Sequence, residues 1–208
     1  MATYASIKYD MDLASTATGT GGMTLLSTQT ASSSATIDFT SGIDSTYKEY
    51  IFKFIEIHPA TNDATFQFQG ETGTNTDYNE TITSSTFRAV VGEDGGDTQL
   101  AYRAPNDQAQ GTSFQTLAPN IGNQNDANVS GTLHIFDPSN TTFVKHFFSD
   151  INMNEGSDDG SGGTFCQRLL VGGYFNTTTA LTRFQFKFSS GNIDSGTIKL
   201  YGVGDKQS

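Results

Sequence analysis

Phenylalanine occupies every second position at the end of the segment LTRFQFKF, residues 181–188. Side chains alternate between the two faces of a β-strand, so Phe184, Phe186 and Phe188 share one face. The residues between them are polar, and they share the opposite face. The segment is therefore predicted to be a strand with one face in a hydrophobic core and the other in water.

A second segment, YIFKFIEI at residues 50–57, is apolar on both faces. One face carries three aromatic side chains (Tyr50, Phe52 and Phe54) and the other three isoleucines (Ile51, Ile55 and Ile57). This pattern predicts a central strand covered on two sides, by the opposite sheet and by a further element outside it.

A third segment, GNIDSGTIKLYGV at residues 191–203, combines turn residues with an alternating strand. We expect a turn over residues 193–196, followed by a strand. In that strand Ile198 and Leu200 should face the core, and the residues beside them should face away from it.

Strand patterns of this kind recur between clusters of Gly, Asn, Asp, Ser and Pro along most of the 208 residues. The predicted fold is all-β: a single antiparallel β-sandwich domain, jelly-roll-like, over residues 23–208. The predicted strands are 23–28, 35–40, 49–57, 65–69, 79–91, 98–102, 113–117, 129–136, 142–152, 165–175, 181–189 and 197–201.

Residues 1–22 differ from the rest, because they are small and polar and end in a glycine-rich stretch. Their few large apolar side chains cannot form a core by themselves. We interpret the segment as an N-terminal arm that orders against a neighbouring molecule, with a disordered leader as the alternative. The candidate interaction residues of the arm are Tyr4, Ile7, Tyr9, Met11 and Leu13.

The net charge of −11 argues against nucleic-acid partners, since eleven Lys and Arg residues are scattered without a basic patch. No stretch approaches the roughly 20 apolar residues of a membrane span. Residues 1–16 lack the pattern of a secretory signal, so synthesis in a cytoplasm is expected. The single cysteine, Cys166, allows no internal disulfide and is expected to pack as a small apolar side chain.

Two histidines, His134 and His146, lie on strands that flank the turn at residues 137–141. In an antiparallel hairpin they can face each other on one side of the sheet. A metal site needs a third ligand, and the sequence offers none, so we interpret them as paired structural histidines. His58 receives the same structural interpretation.

Residues 150–160 place oxygen-bearing side chains at alternate positions, as calcium loops do. The glycine falls one position late, and Ser161 stands where an EF-hand has glutamate. We interpret the segment as an acidic loop between two strands, like residues 92–97, and we predict no cofactor. The candidate calcium ligands are Asp150, Asn152, Asn154 and Asp158.

Catalytic patterns are not found. The carboxylates do not form the facing pair that glycoside hydrolysis needs, and no Gly-X-Ser-X-Gly elbow or phosphate-binding glycine loop occurs. We therefore predict no catalytic residues and no enzyme activity.

Five stretches in this order resemble a family of β-rich virion structural proteins of tailed bacteriophages, especially phages of marine and freshwater bacteria and cyanobacteria. The stretches are SSATIDFTSGIDSTYKEY (33–50), IHPAT (57–61), DPSNTTFVKH (137–146), ALTRFQFKF (180–188) and residues 191–203. The resemblance covers residues 24–203. It implies a virion component assembled in the host cytoplasm and carries no catalytic residues.

Within that family, a compact domain with a short arm favours a capsid decoration, or cement, protein. Its expected partners are the major capsid protein and copies of itself, as a homotrimer by analogy. The alternative is a tail-fibre or receptor-binding module that recognises host glycans through exposed tyrosines. A third hypothesis is a free carbohydrate-active or calcium-dependent lectin-like module. The candidate glycan-binding tyrosines are Tyr78, Tyr102 and Tyr174.

Overall fold

The computed structural model describes residues 22–96, 98–155 and 165–204, and these form two antiparallel sheets packed face to face. The predicted all-β sandwich is confirmed. The described residues contain no helix long and apolar enough to cross a membrane.

Besides a short 3-10 helix, Ala104–Asn106, the elements are β1 (Met23–Thr30), β2 (Ile37–Phe39), β3 (Glu49–Pro59), β4 (Ala64–Thr72), β5 (Ile82–Gly92), β6 (Thr98–Tyr102), β7 (Ala109–Gly111), β8 (Gln115–Ile121), β9 (Val129–Phe136), β10 (Lys145–Glu155), β11 (Phe165–Phe175), β12 (Leu181–Phe188) and β13 (Ile193–Val203).

Eight of the strands form a jelly roll. The smaller sheet has the order β2-β12-β4-β8, and the larger sheet begins with the order β1-β13-β3-β9. Strands β1, β13, β3 and β9 are adjacent in the chain to β2, β12, β4 and β8, respectively, which occupy the same positions in the smaller sheet. The chain therefore passes back and forth between the sheets. This is the double Greek-key arrangement of a jelly roll, as the strand pattern predicted.

The larger sheet continues beyond the jelly roll as β10, β11, β5 and β6, with the short β7 also paired to β5. We call these five strands the wing. They enter the chain as two insertions, β5–β7 between β4 and β8 and β10–β11 between β9 and β12. The inner face of the wing packs on β8 and on the 3-10 helix. Its outer face has no covering layer among the described residues.

The core is a layer of phenylalanine rings between the sheets. Phe186 of β12 lies at its centre, with ring centroids 5.0 Å from Phe52 and 5.3 Å from Phe54 of the facing sheet. Both contacts are edge-to-face, the geometry that the charge distribution of aromatic rings favours. Because these side chains occupy alternate positions in their strands, the alternation seen in the sequence becomes one buried layer.

A bulge in β3 corrects the prediction for that strand. Glu56 has a positive φ of 53°, and the pairing with β9 shifts register between Phe54 and Ile57. The extra residue turns Ile57 into the core, so it does not share a face with Ile55. On the outer face Ile51 is 7% exposed and Ile55 is 39% exposed, and no described element covers them, so the predicted outer element is wrong, whereas the central position of β3 between β13 and β9 is confirmed.

The start of β13 also differs from the prediction. Residues 193–196 belong to the strand, and the turn lies before them, where Gly191 has a φ of 66°. The turn residues serve in a bulge instead. Gly196 has a φ of 120°, and a Cβ there would lie 2.6 Å from the Glu56 carbonyl oxygen, so the close approach of the two bulges requires glycine. Ile198 and Leu200 are buried as predicted.

Two neighbouring glycines of β11 test this packing. A Cβ on Gly173 would lie 2.6 Å from the Thr83 carbonyl oxygen and 2.7 Å from the Phe147 ring, whereas a Cβ on Gly172 would meet nothing within 4 Å. We expect Gly173→Ala to lower the free energy of unfolding by about 1–3 kcal/mol through overpacking. The matched control Gly172→Ala should change it by less than about 0.5 kcal/mol. Urea unfolding measures both, and equal effects would contradict the described packing.

Candidate interaction surface

The outer face of the wing and of the adjoining β9 exposes large apolar side chains. Single exposed apolar residues are common on protein surfaces, but contiguous ones mark sites of interaction. The residues concerned are Phe87, Val91, Leu100, Tyr102, Phe136, Phe148 and Leu170.

Five of these side chains form one group, which we call the edge patch: Phe87, Val91, Leu100, Tyr102 and Leu170. Strand pairing places Phe87 of β5 between Leu170 of β11 and Tyr102 of β6. The Phe87 and Tyr102 ring centroids are 5.5 Å apart. Leu100 is 82% exposed, at the middle of the outermost strand. The edge patch therefore faces solvent at the far end of the larger sheet.

A second group, the aromatic cluster, lies on the same face and consists of His134, Phe136, His146, Phe148 and Tyr174. The His134 and Phe148 rings stack with centroids 4.3 Å apart, and Phe136 lies 6.1 Å from Phe148. His146 and Tyr174 pair across β10 and β11 at 5.9 Å. These rings give the centre of the outer face a broad aromatic surface.

The two histidines share this face, but they do not pair with each other. Strand register places His134 opposite Phe148 and His146 opposite Tyr174. His134 Nδ1 lies 2.7 Å from a carboxylate oxygen of Glu49. The expected His–His pair is therefore wrong, because the register aligns each imidazole with another aromatic ring. His58 is structural, with Nδ1 2.6 Å from the Ala127 carbonyl oxygen.

An open groove of about 560 Å³ adjoins the aromatic cluster at the β9–β10 turn. Its aromatic walls are Phe136, His146 and Phe143, of which Phe143 is 69% exposed. The polar groups in it are mostly engaged: Asp137 binds the Lys48 ammonium at 3.1 Å, and it accepts a hydrogen bond from Asn140. The groove thus offers flat apolar surfaces with few free polar partners.

Lys145 holds the loop that carries Phe143. The side chain is fully buried, and its ammonium donates hydrogen bonds to the carbonyl oxygens of Phe143 at 2.9 Å and Thr177 at 3.1 Å. Burial lowers the pKa of Lys145 from its ordinary value, because the charged form loses hydration. One side chain therefore ties together the two loops at this end of the sandwich.

The calcium hypothesis meets a different geometry. Strand β10 continues to Glu155, so three candidate ligands, Asp150, Asn152 and Asn154, alternate along a strand and not around a loop. Asp150 accepts hydrogen bonds from Nε and Nη2 of Arg168, which lowers the pKa of the Asp150 carboxyl. The predicted strand over residues 142–152 therefore extends to Glu155, the loop prediction is wrong for residues 153–155, and Asp158 lies outside the described residues.

The two asparagines among the candidate ligands are also engaged in contacts within the chain. The Asn154 side chain accepts a hydrogen bond from the backbone N–H of Asn128 at 2.8 Å and donates one to the Asp126 carbonyl oxygen. Asn152 Nδ2 lies 3.5 Å from Cys166 Sγ. Cys166 is exposed, so its expected burial is wrong; its neighbour Gln167 faces the interior. Among the residues that the structure describes, no three His, Cys, Asp or Glu side chains are grouped to hold a metal ion.

The three candidate tyrosines have different surroundings. Tyr78 is 4% exposed, and burial raises its pKa to about 12, so it is unavailable to a glycan and that part of the prediction is wrong. Tyr102 is 56% exposed in the edge patch, and its hydroxyl donates to Asp107. Tyr174 is half-buried in the aromatic cluster. The arm residues Tyr4, Ile7, Tyr9, Met11 and Leu13 lie outside the described residues.

Sequence reasoning missed most of this outer face. A usable signal existed in three strands, where two large apolar residues are adjacent and must therefore face opposite sides. The pairs are Phe147–Phe148, Leu169–Leu170 and Val90–Val91. The first residue of each pair is buried, and the second is exposed.

Comparison with protein-family models finds no match to this chain, and neither does a search of curated proteins.

The role of Lys145 can be tested by replacement. Lys145→Met leaves two carbonyl oxygens without their donor, so we expect the free energy of unfolding to fall by about 1–3 kcal/mol. The matched control is Lys199→Met on the outer face of β13, with an expected change below about 0.5 kcal/mol. Denaturant unfolding measures both, and an unchanged Lys145→Met variant would show that the two hydrogen bonds add nothing.

The difference in the free energy of unfolding between the wild type and Lys145→Met should depend on pH. The pKa of Lys145 is lower in the folded chain than the ordinary 10.5, so the unfolded chain binds more protons between those two values. The free energy of unfolding of the wild type, relative to Lys145→Met, should therefore rise as the pH rises through that window toward 10.5. A difference that falls with pH would contradict the assignment.

Proposed function

We propose that the chain is a bacteriophage virion structural protein, a capsid decoration protein that binds the outside of the head and stabilises it. The observation that carries the proposal is the uncovered outer face of the wing and of β9, which carries the edge patch and the aromatic cluster and which ends, among the described strands, at the open edge of β6. Contiguous exposed apolar surface of this kind is typical of interaction sites. The resemblance to phage virion proteins supplies the setting.

The surroundings of this face support a protein-binding role. The face carries exposed apolar and aromatic side chains, and the Asp150–Arg168 ion pair lies among them. Protein interfaces are enriched in aromatic residues and arginine relative to the rest of the surface. The net charge of −11 favours solubility of the free protein before assembly and disfavours a nucleic-acid partner.

In this proposal the partners are the major capsid protein and further copies of the chain, arranged as a homotrimer in the virion. Repeated weak contacts around a symmetric shell add up by avidity. The chain acts without a catalytic residue, cofactor, membrane or nucleic acid. Assembly takes place in the cytoplasm of the host bacterium.

The groove beside the aromatic cluster favours a second candidate function, a tail-fibre or receptor-binding module for host glycans. Phe143 and Phe136 are exposed aromatic side chains that line the groove, and a sugar ring can stack on such side chains. Few free polar groups are present to orient a sugar, which makes this the lesser candidate.

Removal of residues 1–22 tests the capsid proposal. We expect the truncated protein to remain folded by circular dichroism, because the core lies within the described strands, and to lose attachment to undecorated shells in co-sedimentation. The full chain is the control. Truncated protein that coats shells as well as the full chain would show that the arm has no anchoring role.

The copy number per virion separates the two candidate functions. A decoration protein on a symmetric shell should be present in on the order of hundreds of copies, whereas a tail module should be present in about a dozen. Quantitative mass spectrometry of purified virions measures this number. A low count together with binding of the isolated protein to host polysaccharide would replace the capsid proposal with the tail proposal.

A further inference from the structure

The edge of the larger sheet at β6 is open. In the part of the chain that the structure describes, no strand pairs with β6 on the side away from β5. The sequence of β6, TQLAY, contains neither a charged residue nor a proline, the features with which natural proteins block strand addition. Its exposed residues Leu100 and Tyr102 belong to the edge patch. An incoming strand would therefore find both backbone partners and an apolar surface.

The two faces of this edge differ. Tyr102 faces outward with Phe87, so Arg103, the next residue, lies on the inner side. The Nε atom of Arg103 is buried and has no hydrogen-bond partner, and no carboxylate of the described residues forms an ion pair with this side chain. A complementary strand would need apolar side chains on one face and an acceptor, preferably a carboxylate, on the other.

The arm sequence has this pattern. Residues 7–13, IKYDMDL, place four apolar side chains on one parity and Lys8, Asp10 and Asp12 on the other. The apolar set is Ile7, Tyr9, Met11 and Leu13. As a strand, the segment would offer apolar residues to the edge patch and carboxylates to Arg103 at the same time.

The arm of the same chain is too short to place this strand on β6. Gly22 lies beside Gly204 at the opposite edge of the sheet, one row beyond that of Glu49. Seven strand spacings of about 4.8 Å separate β1 from β6, and Tyr102 lies on the row of Lys53, five residues further along, so the separation along the sheet is roughly 38 Å.

Nine Cα–Cα steps separate Gly22 from Leu13, and a fully extended chain spans at most about 3.6 Å per step, or roughly 32 Å. Leu13 therefore falls short of the nearest end of β6 in its own chain. A strand formed by residues 7–13 reaches a β6 edge only when that edge belongs to another copy.

We propose that residues 7–13 of one copy add as a strand to β6 of a neighbouring copy, with their apolar side chains on the edge patch and Asp10 or Asp12 beside Arg103. This inference deepens the proposed function, on which it rests for its biological setting, by naming the contact between copies. If each copy donates its arm to the next copy around a closed symmetry axis, the contact gives a ring. If two copies exchange their arms, it gives a dimer.

Disulfide trapping tests the placement on the full chain in a Cys166→Ser background. Met11→Cys and Leu100→Cys variants, one of them carrying a size tag, are mixed and oxidised, and we expect a mixed disulfide between the two chains. The matched control replaces Leu100→Cys by Phe143→Cys, which is also exposed on this side of the molecule but outside the edge patch. Equal trapping in both mixtures would overturn the inference.

A chain carrying both Met11→Cys and Leu100→Cys distinguishes the origin of the arm. An internal disulfide whose yield does not depend on dilution would show that the arm covers its own chain, contrary to the inference. If Met11→Cys forms a disulfide with Thr28→Cys in β1 and not with Leu100→Cys, the arm lies on the other edge of the larger sheet. That result would also overturn the inference.

Sedimentation equilibrium measures the strength of the contact. Leu100→Asp should raise the concentration for half-maximal self-association by about tenfold or more, since it places a charge in the centre of an interface, whereas Phe143→Asp should leave it within about twofold. Leu100 is exposed, so folding should be unaffected, and circular dichroism checks this. Arg103→Glu should also weaken association, and Asp10→Lys together with Asp12→Lys should restore it.

A full-length chain that remains monomeric at the highest soluble concentration would overturn the inference. The proposed function fails separately: a monomeric protein that still decorates shells leaves the capsid proposal intact, whereas a protein that self-associates as described and never binds shells removes the capsid proposal alone.

Discussion

The packing of phenylalanine rings between the two sheets is the interaction on which the rest of the structure depends. Phe186 contacts rings of the facing sheet edge-to-face, and Phe66 and Phe68 of the neighbouring strand stack beside it within 6.3 Å. Each ring removes a large apolar area from water, and the edge-to-face contacts fix the distance between the sheets. The connections that cross between the sheets, and hence the jelly-roll topology, keep these faces together.

The wing uses this core as a platform. Its inner face is fastened partly by polar side chains: Ser84 Oγ donates to Gln115 Oε1 at 2.7 Å, and Gln115 Nε2 donates to the Asn106 carbonyl oxygen at 2.9 Å. Buried hydrogen bonds of this kind specify geometry more strictly than apolar contacts, because an unmade bond is costly. Contacts on its inner face, with β8 and the 3-10 helix, thus fix the position of the wing. Its outer face remains available for contacts with other molecules.

Particular residues show how far sequence reasoning reached. Strands β6, β9 and β11 begin and end where the alternation predicts. The bulges at Glu56 and Gly196 were not predictable, because a bulge forms where two strands meet and neither strand signals it alone. The edge patch was missed for a similar reason, since an apolar face reads the same whether a second layer covers it or not. The histidine hypothesis depended on register, which only strand pairing sets, and the calcium hypothesis depended on where β10 ends.

The sequence by itself determined the fold class, the parity of most core residues and the phenylalanine content of the core, because side-chain alternation in a strand is a local property. Tertiary structure alone decided which apolar faces stay open, which of Tyr78 and Tyr102 meets solvent, and which of the described strands, β1 and β6, form the edges of the larger sheet. Those outcomes depend on the order of strands in the sheet and on the width of the layer that covers it. Both arise from contacts between residues far apart in the chain, and no local pattern records them.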